Sequence, residues 1–270
     1  MVKNITFNDG NSIPQLGYGV WQIEDNGAAD AVGTALEAGY RHIDTASIYG
    51  NEVGVGRGIA ASSVPREDIF LTTKLWNSDQ GFEKAIAALD ASLERLGTDY
   101  VDLYLIHWAM PQQGTYLESW RALIGKVRSI GVSNFPQAQL REIIADTSVT
   151  PAIHQIELHP YFSQEDMRAV HSEFGIVTEA WSPLGQGGEI LKDPVIVEIA
   201  GKHGISPAQA VLAWHLAKGI VAIPKSVTPA RIAENFAAAN VTLDTADIAA
   251  IDGLTRKDGR IGPDPENPKF

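Results

Sequence analysis

Asp44, Tyr49, Lys74 and His107 are the residues of this chain whose types and spacing could do chemistry. Three of them close short apolar or β-branched runs, at 41–44, 70–74 and 101–107. If those runs are successive parallel strands, Asp44, Lys74 and His107 arrive together at the C-terminal end of a sheet. Tyr49 lies one short loop beyond Asp44. A phenol beside an ammonium, the ammonium's carboxylate counter-ion and an imidazole can pass a proton to a developing alkoxide. A free phenol titrates near ~10, so Lys74 is expected to lower the Tyr49 value, with Asp44 keeping Lys74 charged and aimed. The same residue types read equally well as a structural salt bridge, because a lysine buried in a barrel mouth needs a partner whatever else it does. His107 on its own would be an ordinary satisfied polar group.

Two further sets surround these four. Trp21, Trp76, Trp108 and Trp181 sit at four predicted strand ends. They read either as core filling or as the wall of an apolar pocket, with Trp181 offering a flat face to a heteroaromatic ring. Lys225 and Arg231 bracket the start of a helix that follows Pro224-Lys225-Ser226-Val227-Thr228-Pro229. In a barrel that corner commonly takes a phosphate, although an exposed helix start with incidental charges would look the same. No G-x-G-x-x-G follows a predicted strand, so a Rossmann site has no support. His154, His159, His203 and His215 lack ligand spacing, and no metal site is expected.

The elements that must hold these residues alternate along the chain. Ile5-Thr6-Phe7 and Ser12-Ile13-Pro14 about Asn8-Asp9-Gly10-Asn11 read as an N-terminal β-hairpin. Strands follow at 16–20, 41–44, 69–73, 101–106, 129–133, 153–158, 176–181 and 220–223. Helices are expected at 28–38, 52–61 and 82–96. The last has Ile86, Leu89, Leu93 and Leu96 at helical spacing and Gly97 as its stop. Eight strand–helix units in strict alternation over 270 residues predict a (β/α)8 TIM barrel, whose usual length is ~250 residues. The whole chain, 1–270, reads as a single barrel domain. Residues 257–270 form a short Gly- and Pro-rich C-terminal loop tail over one end.

The chain has no cysteine, which excludes disulfides and thiolate metal sites. Its net charge of −12 and the absence of a Lys/Arg cluster exclude a backbone-tracking nucleic-acid binder. An anionic ligand must therefore be held by locally placed cations. No apolar stretch resembles a secretory core or approaches the ~20 residues of a membrane span, so no membrane association and a cytoplasmic location are expected.

Six segments, in order, resemble the aldo-keto reductase family: His42-Ile43-Asp44-Thr45-Ala46 with Tyr49-Gly50-Asn51-Glu52; Thr73-Lys74-Leu75-Trp76; Asp102-Leu103-Tyr104-Leu105-Ile106-His107-Trp108; Gly131-Val132-Ser133-Asn134-Phe135; Gln155-Ile156-Glu157-Leu158-His159-Pro160; and Ile223-Pro224-Lys225-Ser226. Trp181-Ser182-Pro183-Leu184-Gly185-Gln186-Gly187, with Trp where many members have Tyr, is similar to the bacterial 2,5-diketo-D-gluconate reductases. The resemblance implies a monomeric barrel that uses NADPH to reduce aldehydes and ketones. It implies Tyr49 as general acid, Lys74 and Asp44 as its tuning pair, and His107 as the substrate-orienting group. Ser133, Asn134 and Gln155 would hold the nicotinamide carboxamide, with Trp181 stacked on the ring and Trp21, Ser182 and Leu184 beside the cofactor. Lys225, Ser226 and Arg231 would contact the 2′-phosphate, and Glu234 and Asn235 the adenine. Trp21, Trp76 and Trp108 would wall the substrate pocket, which the short tail leaves open.

Three departures from the family pattern stand out. Ala109 replaces a common Pro. The segment 120–126 is shortened at the end of the fourth helix. His154 stands where Asn is common. The expected activity is reduction of a sugar-derived ketone, a dicarbonyl or a small aldehyde. Two alternatives stay open on residue types: a nucleotide-binding or scaffold subunit with little turnover, and a Schiff-base lyase using Lys74, which would need that lysine neutral.

Overall fold

The computed structural model describes residues 2–269; Met1 and Phe270, the last residue of the expected tail, lie outside the described residues. A hairpin of β1 (Asn4–Thr6) and β2 (Ser12–Pro14) opens the chain, in the register Asn4 with Pro14 and Thr6 with Ser12. Gly10 turns it at φ +89°, a conformation that an L side chain rarely adopts.

Eight parallel strands follow: β3 (Tyr18–Gly19), β4 (His42–Asp44), β5 (Phe70–Leu75), β6 (Leu103–Ile106), β7 (Ser129–Ser133), β8 (Ile153–Glu157), β9 (Val177–Trp181) and β10 (Val221–Ala222). Each pairs with the next in chain order. The last returns to the first: Leu16 bridges Ala222 in parallel, the Gly17 N–H donates to the Ala222 carbonyl at 2.9 Å, and the Gly19 N–H donates to the Pro224 carbonyl at 3.2 Å. The sheet thus closes as the sequence pattern predicts. β10 is shorter than the expected strand by one residue at each end, and Pro224, just beyond it, has no N–H to donate.

The helices pack outside. α1 (Asp25–Ala38) and α2 (Glu52–Ala61) flank β4, and α3 covers Phe82–Leu96, the range its apolar stripe and Gly97 predict. α4 (Tyr116–Leu123) ends early in a turn with Gly125 at φ +74°. A surface cavity of about 230 Å³ between Leu89, Leu93, Tyr100 and Val127 marks where it stops. α5 (Gln137–Thr147) and α6 (Glu165–Phe174) follow β7 and β8. Strict alternation fails after β9, where two helices intervene: α7 (Pro194–His203), capped by Asp193, and α8 (Pro207–Ala217), capped by Ser206. α9 (Pro229–Ala237) and α10 (Thr245–Asp252) complete the ring.

The barrel interior is apolar at its N-terminal end and polar at the other. Phe7 and Ile13 of the hairpin region pack with Leu103, Leu105, Ile153 and Val221 and stopper the N-terminal end.

On the outer face of β8, a buried histidine relay fixes the exit of β7. The Phe135 N–H donates to His154 Nε2 at 3.0 Å, His154 Nδ1 meets His171 Nε2 at 2.8 Å, and His171 Nδ1 meets Thr178 Oγ1 at 2.7 Å. Because a backbone N–H can only donate, His154 carries its proton on Nδ1 and His171 does likewise, so both rings are neutral. Burial holds both below the usual imidazole range, His171 at about 3. The unfolded chain takes up these protons first, so the relay's stability is complete above pH 6.5 and is lost as the pH falls toward 3. His154→Leu should cost about 1–3 kcal/mol by orphaning the Phe135 N–H, and should make the acid-side fall in stability shallower. Urea unfolding across this pH range checks both.

Candidate active site

Asp44 ends β4 and Lys74 lies near the end of β5, both side chains turned into the barrel. Lys74 is fully buried. Its Nζ donates to Asp44 Oδ1 at 2.6 Å and to the Thr45 carbonyl at 2.8 Å. Burial works against its charge, but Asp44 and then Tyr49 outweigh that, and its pKa stands above the ordinary lysine value. A lysine held charged in this way is no amine nucleophile, which removes the basis of the Schiff-base alternative.

Tyr49 comes from a single 3-10 turn, Ser47–Tyr49, ended by Gly50 at φ +67°. Asn51 anchors that turn. Its Oδ1 accepts from Thr45 Oγ1, and its Nδ2 donates to the Val20 and Ile23 carbonyls at 2.9 Å each. The loop carrying Trp21 and the loop carrying Tyr49 are thereby one unit. The Lys74 ammonium lies 5.2 Å from the Tyr49 ring centroid. Lys74 lowers the Tyr49 pKa as expected, but not far enough to bring it below the ordinary phenol value. Burial of the phenol comes first and raises it; Lys74 pulls it down, but Asp44 opposes, and the hydroxyl stays above the ordinary phenol value.

His107 follows β6 directly, its N–H bonded to the Leu75 carbonyl at 3.1 Å. The ring is packed edge-on between Tyr49, at 5.8 Å, and Trp76, at 5.2 Å. Burial, and then Lys74, hold it neutral, well below the usual imidazole range. Its Nδ1 has no hydrogen-bond partner.

Asn134 joins this cluster to the next. At φ +53°, it donates from Nδ2 to the His107 carbonyl and to Ser133 Oγ, and accepts the Trp181 Nε1 hydrogen on Oδ1 at 2.8 Å. Ser133, Gln155 and Glu179 lie in register across β7, β8 and β9. Trp181 is half-buried at the end of β9, beside Ser182 (φ +48°) and half-buried Leu184. The tail meets it: Gly262 lies so close that a Cβ there would fall 2.4 Å from the indole. Glu157 accepts the Ile261 and Gly262 N–H groups at 2.6 and 2.8 Å, and Gln112 Nε2 reaches the Glu266 carbonyl at 3.1 Å. The tail therefore bridges two sides of the mouth, which is less open than the tail's length suggests. Trp108 is buried, while Trp21 is 45% exposed at the rim.

The phosphate-corner residues form a second patch. Lys225 and Arg231 are exposed, and neither joins an ion pair among the described residues. Ser226 is fixed through its carbonyl, which accepts the Tyr18 hydroxyl at 2.5 Å, and through its Oγ, which accepts the Thr228 N–H. On α9, Glu234 is half-buried and Asn235 is buried.

Two interior residues went unread in the sequence, Glu179 and His42. Both are fully buried beneath Lys74 and Asp44. Gln155 donates from Nε2 to Asp44 Oδ2 and to Glu179 Oε2, at 2.9 Å each. The available signal was a glutamate inside the otherwise apolar or β-branched run Ile176-Val177-Thr178-Glu179-Ala180-Trp181.

The family model described as aldo/keto reductase matches residues 14–256. An aldo-keto reductase of Mycolicibacterium smegmatis is 54% identical, with 100% of this chain and 99% of that protein covered. Methylglyoxal reductase DkgA of Salmonella typhimurium is 49% identical, with 97% and 96% covered. Among solved structures, a mutant of Gox0644 in complex with NADPH matches with a TM-score of 0.96 at 46% identity, with 100% of both chains covered. By the matched family model and these full-length relatives, the chain belongs to the aldo/keto reductase family.

Proposed function

We propose that this protein is an NADPH-dependent carbonyl reductase that acts on small dicarbonyls or sugar-derived ketones, with Tyr49 as the proton donor. The observation that carries this reading is the buried Lys74–Asp44 pair set against Tyr49, with neutral His107 packed on the same phenol. Methylglyoxal reductase DkgA and the NADPH complex of Gox0644 support the substrate class and the cofactor.

The residues present fit the dinucleotide. Two exposed cations, which have no carboxylate partner among the described residues, stand at the start of α9 in a protein of net charge −12, a suitable arrangement for a phosphate. Trp181, its ring N–H committed to Asn134, keeps a fixed indole plane for a heteroaromatic ring. Ser133, Asn134 and Gln155 would hold the carboxamide, and Trp21, Ser182 and Leu184 would flank it. Lys225, Ser226 and Arg231 would hold the 2′-phosphate, and Glu234 and Asn235 would lie by the adenine. When bound, the dinucleotide supplies a hydride to the carbonyl carbon.

The protein's own part is positional and acid–base. His107, neutral and packed edge-on against the Tyr49 ring, orients the carbonyl oxygen toward the Tyr49 hydroxyl. Tyr49 gives its proton to that oxygen as it gains charge. A phenol held above its ordinary pKa is protonated at neutral pH, so the proton is in place to be given as the oxygen gains charge. Lys74 stabilises the phenolate left behind. Trp76 and Trp108, with Trp21 at the rim, wall the pocket and exclude water.

Tyr49→Phe should retain dinucleotide binding and lose at least ~100-fold in turnover, as expected for loss of a general acid. Near-normal turnover on a panel of methylglyoxal, diketo-sugars and small aldehydes would remove Tyr49 from the mechanism. NADPH should be strongly preferred to NADH, and a Lys225→Ala/Arg231→Ala variant should erase most of that preference. kcat/KM ratios at low and high salt test this, because a charge-assisted phosphate contact is screened by added ions.

A further inference from the structure

Beside Asp44 the barrel interior holds a carboxyl group, Glu179, that the proton transfer does not use. Asp44 is neutralised by Lys74, which also donates to the Thr45 carbonyl and lies against the Tyr49 ring. Glu179 has no such cation. Its Oε2 accepts from Gln155 Nε2, the same nitrogen that serves Asp44, and its Oε1 has no hydrogen-bond partner. That free oxygen faces His42 Nε2 at 3.6 Å, and His42 Nε2 also lies 3.4 Å from Thr72 Oγ1. All of these groups are fully or almost fully buried.

The titratable groups around it are His42 and Asp44 on β4, Lys74 on β5, and Tyr49 and His107 above them, while Glu157 on β8 is committed to the tail N–H groups. With Glu179 ionised, two anions would face one cation in a closed interior, a costly imbalance. With Glu179 protonated the interior balances at one against one, and Oε1 becomes a donor facing a ring nitrogen that can accept. We propose that Glu179 is carried as the neutral acid, with its proton directed at His42, and that this proton keeps the charge of Lys74 available to Tyr49. Glu179 is thus a positioning residue for the Tyr49 proton and does not itself touch substrate.

The electrostatics run the same way. Burial, and then Asp44, push the Glu179 carboxyl up to about 8. Burial holds His42 down at about 3, against the Pro14 carbonyl that favours its cation and with Lys74 adding to the depression. At Tyr49 the Lys74 charge lowers the phenol pKa, whereas Asp44 and Glu179 raise it. Loss of the Glu179 proton therefore adds a second anion that works against Lys74 and makes Tyr49 a poorer acid.

This inference rests on Tyr49 being the acid in carbonyl reduction, and two measurements separate the two claims. In the wild-type protein, infrared difference spectra should show a protonated carboxyl band at neutral pH that fades as the pH rises through about 8 and is missing in Glu179→Gln. That readout needs no turnover. In steady-state reduction, kcat/KM of the wild type should fall over the same interval, and in Glu179→Gln, which cannot ionise, that limb should move up by about one pH unit or more. No neutral-carboxyl band in the wild type, or an unshifted limb in the variant, overturns the proposal. Tight zinc binding by the wild type that Glu179→Gln abolishes would also overturn it, since a metal at His42, Asp44 and Glu179 requires the ionised form. An intact band with no reduction of any carbonyl tested would instead sink the functional reading alone.

Discussion

The ammonium of Lys74 is the constraint around which the mouth of this barrel is organised. A fully buried cation must be compensated nearly atom by atom, and breaking such a pair by removing one partner typically costs ~3–5 kcal/mol. Asp44 and the Thr45 carbonyl supply two of its contacts, both from the end of β4, so the ends of β4 and β5 are locked at a fixed spacing. Tyr49 is the remaining neighbour. Its turn is fastened to the preceding loop by Asn51, which leaves the phenol little freedom to leave the charge. Charge, turn and loop are thus a single mechanical unit.

A second organising centre is Asn134. Its left-handed backbone turns the side chain back across the barrel mouth, where one amide ties the His107 carbonyl, Ser133 and the Trp181 indole together. The histidine relay behind β8 steadies the neighbouring Phe135 N–H. Two histidines and a threonine do this by passing direction along a chain of neutral donors and acceptors, so the relay fixes geometry without adding charge near the site.

Much of this was legible before any coordinates. α3 was bounded correctly because an apolar stripe and a terminal glycine pointed to the same ends. Asp44, Lys74 and His107 could be placed on one barrel face because strand alternation is a strong rule. β10 was overestimated because Ile220 and Ile223 continue the apolar pattern while the backbone beside Pro224 does not. The extra helix between β9 and β10 was missed although Asp193-Pro194 and Ser206-Pro207 are both good helix starts. Tyr49 shows the deeper limit. A cation near a phenol can be inferred from spacing, but which of burial and attraction prevails depends on how completely water is excluded. Glu179 was missed for a related reason: a strand read as apolar hides a polar residue that points inward.

The hairpin at the N-terminal end has a consequence for traffic. Among the described residues Phe7 and Ile13 fill the N-terminal side, and the bridge from the tail to Gln112 narrows the opposite mouth. Anything that binds against the strand-end polar residues would therefore come and go on the C-terminal side.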